Sequence, residues 1–298
     1  MAQMKDEELL LELKNRFEEN KKTIAELQQL TDELKSVNKK LGESEALKSH
    51  FISNITNEII NPFTSILGLS KTIMAVKKED WKKVISMVAL IHSEAFNLDF
   101  QLRNIFVAAK VEAGEISPEI LSVDLKALVR NLLESFRIES QKKNLEFDFI
   151  FECKPKKGEV FYFKTDPEKI KLILANLLSN AIKFSFDQGK IEVKVWNEQN
   201  VTHFSVQDHG TGISEENQQV IFDRFKRLDS GINSLNRGHG LGLSINKALI
   251  DLLNGKINIQ STLGEGACFT VSVPEASADI AGYSAEGNDF LFDDNQVF

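Results

Sequence analysis

Two cysteines in 298 residues are too few for a disulfide framework, and Cys153 and Cys268 lie far apart and outside any metal-ligand spacing. They fit a reducing compartment and suggest no site. Uninterrupted apolar runs of about eighteen residues are missing too, and the opening MAQMKDEELLLELKNRFEEN is charged where a signal peptide needs a long apolar stretch. A cytoplasmic protein without membrane insertion is therefore expected. Positive charge is absent from the final stretch: Glu275, Asp279, Glu286, Asp289, Asp293 and Asp294 stand there with no Lys or Arg between them. These acids carry most of the formal net charge of −8, a balance that argues against a nucleic-acid partner.

What is present is a globular share of apolar residues, 42%, which excludes disorder throughout. From Leu10 to Leu41 these residues recur at heptad spacing, through Leu10, Leu13, Phe17, Ile24, Leu27, Leu34 and Leu41, with Asn20, Thr31 and Asn38 between them on the seam. The spacing predicts a coiled coil whose polar seam residues fix register at some cost in stability. The helical pattern continues through Leu47, Phe51, Ile55, Ile59, Phe63, Ile66 and Ile73, with a kink expected at Pro62. A polar turn at Lys77 to Asp80 leads into a second amphipathic run from Trp81 to about Val111. That run has Val84, Val88, Ile91, Ala95, Leu98, Leu102, Ile105 and Ala109 on one stripe, and Gly114 and Pro118 end it. One hairpin cannot bury both stripes, whereas two hairpins from two chains close a four-helix bundle, so a homodimer is expected.

After Pro118 helices and strands are mixed. Helices are expected at Asp124 to Lys142, Pro167 to Phe184 and Leu241 to Leu253. Strands are expected at Leu145 to Glu152, Glu159 to Lys164, Lys190 to Asn197, Val201 to Asp208, Lys256 to Ser261 and Ala267 to Val273. Grouped strands and helices indicate an α+β sandwich with a mixed sheet. The tail from Glu275 has no periodicity and is expected to be disordered.

Four motifs follow one another in this second region: NLLSNAIKFS at 176–185, DHGTG at 208–212, IFDRFKRLD at 221–229 and GHGLGLSI at 238–245. Glycines Gly210, Gly212, Gly238, Gly240 and Gly242 let backbone amides approach a phosphate closely, and the helix after Gly240, which begins near Leu241, offers its positive end. In these motifs the chain resembles the ATP-binding domain of sensor histidine kinases, related to the gyrase, MutL and heat-shock chaperone ATPases. With the preceding hairpin the resemblance covers roughly residues 44–274. It implies ATP and Mg²⁺ as cofactors. Asp208 would accept a hydrogen bond from the adenine amino group, Asn180 would help hold Mg²⁺, and Lys183 and Arg227 would neutralise phosphate charge. Asn176 stands one helical turn before Asn180, where the related ATPases carry a glutamate that activates water. An amide is no general base, so slow hydrolysis of free ATP is expected. His209 and His239, beside these glycines, read as loop residues.

The segment FISNITNEIINPFTSILGLS at 51–70 resembles the phosphoacceptor segment of the same kinases, in which a histidine precedes an acid and, five positions on, a proline. Asn57 stands in the histidine's place, Glu58 is the acid and Pro62 the proline. Imidazole has a nucleophilic lone pair and a carboxamide nitrogen does not, so autophosphorylation at residue 57 is not expected. Ile60 takes a place often basic in the family, and Phe63 replaces a leucine. Glu58 and Asn61 share one helical face, and by resemblance such a pair can position water for removing phosphate from a response regulator. His50 lies one heptad before Asn57 but has no acid after it to orient the ring.

The expected architecture is a coiled-coil signalling helix (1–43), a dimerising helical hairpin (44–114), an α/β sandwich of the histidine-kinase type (115–274) and an acidic tail (275–298). The expected function is two-component signalling as a homodimer that binds ATP and acts on a response-regulator receiver domain or a partner histidine kinase. Two alternatives stand beside it. One is an active kinase whose acceptor was engineered to Asn or that phosphorylates another chain; the other is an ATP-gated scaffold through which no phosphate moves.

Overall fold

The computed structural model describes residues 6–76, 80–155, 160–222, 241–277 and 283–284, with side chains described at 10–39, at 42 and, within these ranges, from 59 to 277. The chain divides into two compact units, Met1–Ser53 and Asn54–Phe298.

One helix, α1 (Asp6–Met74), runs through the first unit and into the second, and it passes Pro62 without interruption. In the first unit every described side chain is exposed, and the heptad seam from Leu10 to Leu34 faces water. Local pairs hold the helix: Arg16 bonds Glu12 at 2.8 Å, and the seam hydroxyl of Thr31 donates to the Leu27 carbonyl at 2.7 Å. Leu41 and the acceptor-like residues Asn57 and Glu58 lie on this helix, with side chains outside the described residues. Asn61, three residues after Glu58, is exposed.

In the second unit the end of α1 and α2 (Trp81–Ala113) are the arms of a helical hairpin. Gly114, in the left-handed region at φ 69°, ends α2; its N–H bonds the Val111 carbonyl and the next N–H bonds the Lys110 carbonyl. The buried residues of α2 are Ser93, Asp99, Phe100 and Asn104, which is not the stripe that the heptad pattern marked. This second face packs on the sandwich. Phe96 and Phe100 set their rings edge-on to Phe136 at 5.2 and 6.2 Å, and Ser93 donates to Glu139 at 2.7 Å. Val88 on the marked stripe stays 51% exposed.

The sandwich opens with β1 (Leu121–Asp124), α3 (Leu125–Ser135) and α4 (Arg137–Lys142). The single helix expected at Asp124 to Lys142 is thus broken at Phe136, and β1 was not expected. Asp124 caps α3 by accepting from Ala127 N–H at 3.0 Å. Then come β2 (Glu146–Glu152), β3 (Tyr162–Thr165) and α5 (Pro167–Phe184). Asp166 caps α5 and Pro167 occupies its first turn, so α5 begins where capping chemistry places it. β4 (Lys190–Glu198), β5 (Val201–Gln207), α6 (Glu215–Gln218), α7 (Gly242–Leu252), β6 (Lys256–Thr262), β7 (Gly266–Pro274) and β8 (Tyr283–Ser284) complete the order.

Five strands form one mixed sheet in the order β2-β4-β5-β7-β6, parallel only between β2 and β4. Ile191, Val193, Val195, Phe204 and Val271 turn inward from it onto Leu174, Leu177, Leu178, Leu249 and Ile250 of α5 and α7, forming the core. β1 pairs antiparallel with β3 and parallel with β8. Tyr283 and Ser284 therefore form a strand within the tail expected to be disordered; residues 285–298 lie outside the described residues. Among the described residues no helix is long and apolar enough to cross a membrane. Both thiols are free; burial pushes Cys153 up to about 11 and raises Cys268 as well.

Candidate nucleotide site

Asp208 follows the last residue of β5, where its N–H still bonds the Ala267 carbonyl at 2.9 Å. The strand therefore carries the carboxyl into the interior. Asp208 is 6% exposed, and its Oδ1 is buried without a hydrogen-bond partner. Desolvation raises the carboxyl to about 6, against the opposing pull of the Ala267 N–H, His209 and the Gly210 N–H. A buried acceptor without a hydrogen-bond donor is costly unless a ligand supplies one.

The turn after Asp208 is seated on two backbones. A Cβ on Gly210 would stand 2.0 Å from the Phe184 carbonyl oxygen, and one on Gly212, at φ 62°, would stand 2.0 Å from the Thr262 carbonyl oxygen. Close chain packing thus requires these two glycines before any phosphate is considered. Gly266, not singled out in the sequence, has φ 103° and would put a Cβ 2.1 Å from the Asp208 carbonyl oxygen. Ser261 ties the same turns together: it accepts from Ile213 N–H at 2.8 Å and donates to the Gly266 carbonyl at 2.7 Å.

Asn176, Asn180 and Lys183 lie on α5, which packs against α7. Asn180 and Lys183 are half-buried, and the Lys183 ammonium sits 4.9 Å from the Phe184 ring centre. Asn176 is buried: its Nδ2 donates to Asn246 Oδ1 at 2.9 Å, and Asn246 Nδ2 donates to the Ile173 carbonyl at 3.0 Å. This amide ladder joins α5 to α7, and Asn176 Oδ1 lies 3.2 Å from where a Cβ on Gly242 would be. Asn176 is therefore engaged in holding α7 rather than presented to solvent.

α7 starts at Gly242, one residue past the buried Leu241, with no side-chain cap and no acid in its first turn. Its leading N–H groups suit an anion. Arg227, Gly238, His239 and Gly240 lie outside the described residues. His209 is exposed, as a loop residue would be. Among the described residues no group of three or more His, Cys, Asp or Glu side chains could hold a metal ion. A Mg²⁺ here would need phosphate oxygens and water beside Asn180, the manner in which this ion is usually held.

Residues 165–277 match the family described as histidine kinase-, DNA gyrase B-, and HSP90-like ATPase. The circadian input-output histidine kinase CikA of Synechococcus elongatus is 30% identical over 236 residues, 77% of this chain and 30% of that protein. The sensor protein GacS of Pseudomonas syringae pv. syringae is 29% identical over 280 residues, 92% of this chain and again 30% of the relative. The chain thus spans about a third or less of these curated relatives. The crystal structure of full-length ShkA in complex with AMPPNP shares the fold, with a TM-score of 0.53, 24% identity, and coverage of 78% of this chain and 46% of that one. A helical hairpin followed by this ATPase sandwich is thus similar along most of its length to sensor histidine kinases, with the match to the ATPase family lying in residues 165–277.

Proposed function

We propose that the chain binds ATP with Mg²⁺ in its sandwich and works in two-component signalling as a homodimer, acting on a receiver domain or a partner kinase without phosphorylating residue 57. The observation that carries the nucleotide reading is Asp208 Oδ1, buried and lacking a partner at the end of β5. An adenine amino group is a donor of the right kind for it. Lys183, Arg227 and the start of α7 are the groups assigned to the phosphates, and Asn180 is assigned to Mg²⁺. Mg²⁺ would neutralise charge on the phosphate oxygens. Calorimetric titration with ATP tests this directly, and absence of saturable binding would refute it.

The reading of the hairpin rests on chemistry at one position. Asn57 lies on α1, five residues before Pro62, and a carboxamide nitrogen delocalised into its carbonyl is no phosphoryl acceptor. Glu58 and Asn61 are three apart on an unbroken helix, a spacing that brings two side chains to one face. There they can orient a water toward an acyl phosphate on a receiver domain. Incubation with γ-labelled ATP should leave the chain unlabelled, and a supplied phosphorylated receiver should lose its label faster in its presence. Asn57→His should gain an ATP-dependent label. Label on the unaltered chain would overturn the reading in favour of an active kinase, and no effect on the receiver would favour a scaffold.

A further inference from the structure

The connector between α5 and β4, residues 185–189, lies between two neighbours. On one side is the turn that carries Asp208. Ser185 forms an antiparallel bridge with Gly210, Thr211 N–H donates to the Phe184 carbonyl at 3.2 Å, and Phe186 N–H donates to the His209 carbonyl at 3.4 Å. With no Cβ at Gly210, the two backbones are in direct contact. The position of the connector therefore sets the position of the Asp208 carboxylate.

On the other side stands Lys143. It is the residue that closes α4, and Asn144, at φ 53°, then turns the chain so that Leu145 N–H bonds the Ser140 carbonyl at 2.9 Å. From this fixed place Lys143 Nζ donates to the Lys183 carbonyl at 2.6 Å and the Ser185 carbonyl at 3.1 Å, and the Lys143 carbonyl accepts from Gln188 N–H at 2.8 Å. The last carbonyls of a helix have no partner within it and carry its negative end, so a cation there both satisfies and attracts them. Ser185 leaves the helical conformation at ψ 147°, and the same ammonium bonds carbonyls on both sides of that exit.

We infer that Lys143 is a positioning residue of the nucleotide site: by holding the end of α5 and the connector, it seats the turn that presents Asp208. This rests on the ATP-binding reading above. Three bonds from one residue to a six-residue segment distinguish it from a solvated surface lysine.

The test compares the full chain with Lys143→Met, Lys143→Gln and Lys143→Arg. Amide exchange is followed without nucleotide, and ATP affinity is measured well below each unfolding midpoint. In Lys143→Met, exchange at Thr211 and Phe186 should quicken at least tenfold and the ATP dissociation constant should rise at least tenfold. Lys143→Gln, which can still reach one carbonyl, should lie between, and Lys143→Arg should restore both quantities to within about threefold. Should the methionine variant not fold, the glutamine and arginine variants carry the comparison. Unchanged exchange at those two amides overturns the inference, as does faster exchange with unaltered ATP affinity. A wild-type chain that binds no ATP would sink the nucleotide reading and the role given to Lys143 with it, whereas the exchange rates would still report whether Lys143 holds the connector.

Discussion

Residues 10–39 and the sandwich from Leu121 to Pro274 are built by the same rule, apolar residues at the period of their secondary structure, and they end in opposite states. In the first, every side chain is exposed, with Leu13 at 58% and Phe17 at 69%. In the second, the periodic residues meet one another, and Leu125, Val129, Ile191 and Leu249 are fully buried. A sandwich has a second layer of its own to cover its sheet; a solitary helix has none. One region buries its periodic residues within a single chain, and the other leaves them exposed along its helix.

The comparison is broken most forcefully from inside the sandwich. Gly210→Ala places a Cβ against the Phe184 carbonyl oxygen, and we expect a loss of about 4 kcal/mol or more in stability with loss of ATP binding. Chemical denaturation followed by circular dichroism should show the sandwich transition shifted and the helical signal of residues 10–39 kept. Loss of both signals together would mean that the two regions are not independent.

A smaller effect is expected at Asp208. An asparagine there turns an NH₂ either toward the adenine amino group or toward the Ala267 and Gly210 N–H groups, donor against donor. ATP affinity should fall by about 2–3 kcal/mol, roughly thirty- to a hundred-and-fiftyfold. The pH dependence sharpens the point. The folded carboxyl, raised to about 6, lies above its unfolded value near 3.9, so folded protein holds the extra proton between these values. Stability from this group is thus fully present below about pH 4 and is lost as pH rises through about 6. ATP affinity should run the other way, rising from pH 5 to 7 as the carboxylate forms, and Asp208→Asn should flatten that rise in calorimetric titrations.

The smallest effect is expected on the open seam. Leu27→Asn should weaken self-association by about 2 kcal/mol, roughly thirtyfold in sedimentation equilibrium, and leave ATP affinity unchanged. An unaltered dimer would show that the seam faces something other than a second copy.

Much of the sandwich was legible because its signals are local. Asp166 and Pro167 announce the start of α5, and β4 and β5 alternate cleanly between buried and half-buried positions. Four-residue β1 gives too short a pattern, and the apolar residues of α3 continue in phase to Phe136, which hides the break before α4. The second face of α2 was misleading for a chemical reason. Ser93, Asp99 and Asn104 look like solvent-facing residues, yet each is buried with a bond of its own: to Glu139 at 2.7 Å, to Arg103 at 2.8 Å and to the Phe100 carbonyl at 3.0 Å. In the candidate site the motif residues were readable and their supports were not. Asn246, Ser261, Gly266 and Lys143 act on partners from a few residues to seventy residues away, and only the fold brings them together.

The chain's two indoles sit in contrasting surroundings. Trp81, at the start of α2, is 66% exposed; Trp196, on β4, is half-buried, stacked on the His203 ring at 4.9 Å with Lys194 5.7 Å from its centre. Within the second unit the hairpin and the sandwich thus carry one indole each, the first expected to emit to the red of the second. Replacing Trp81 with phenylalanine leaves an optical channel that reports on the sandwich alone, without any added dye.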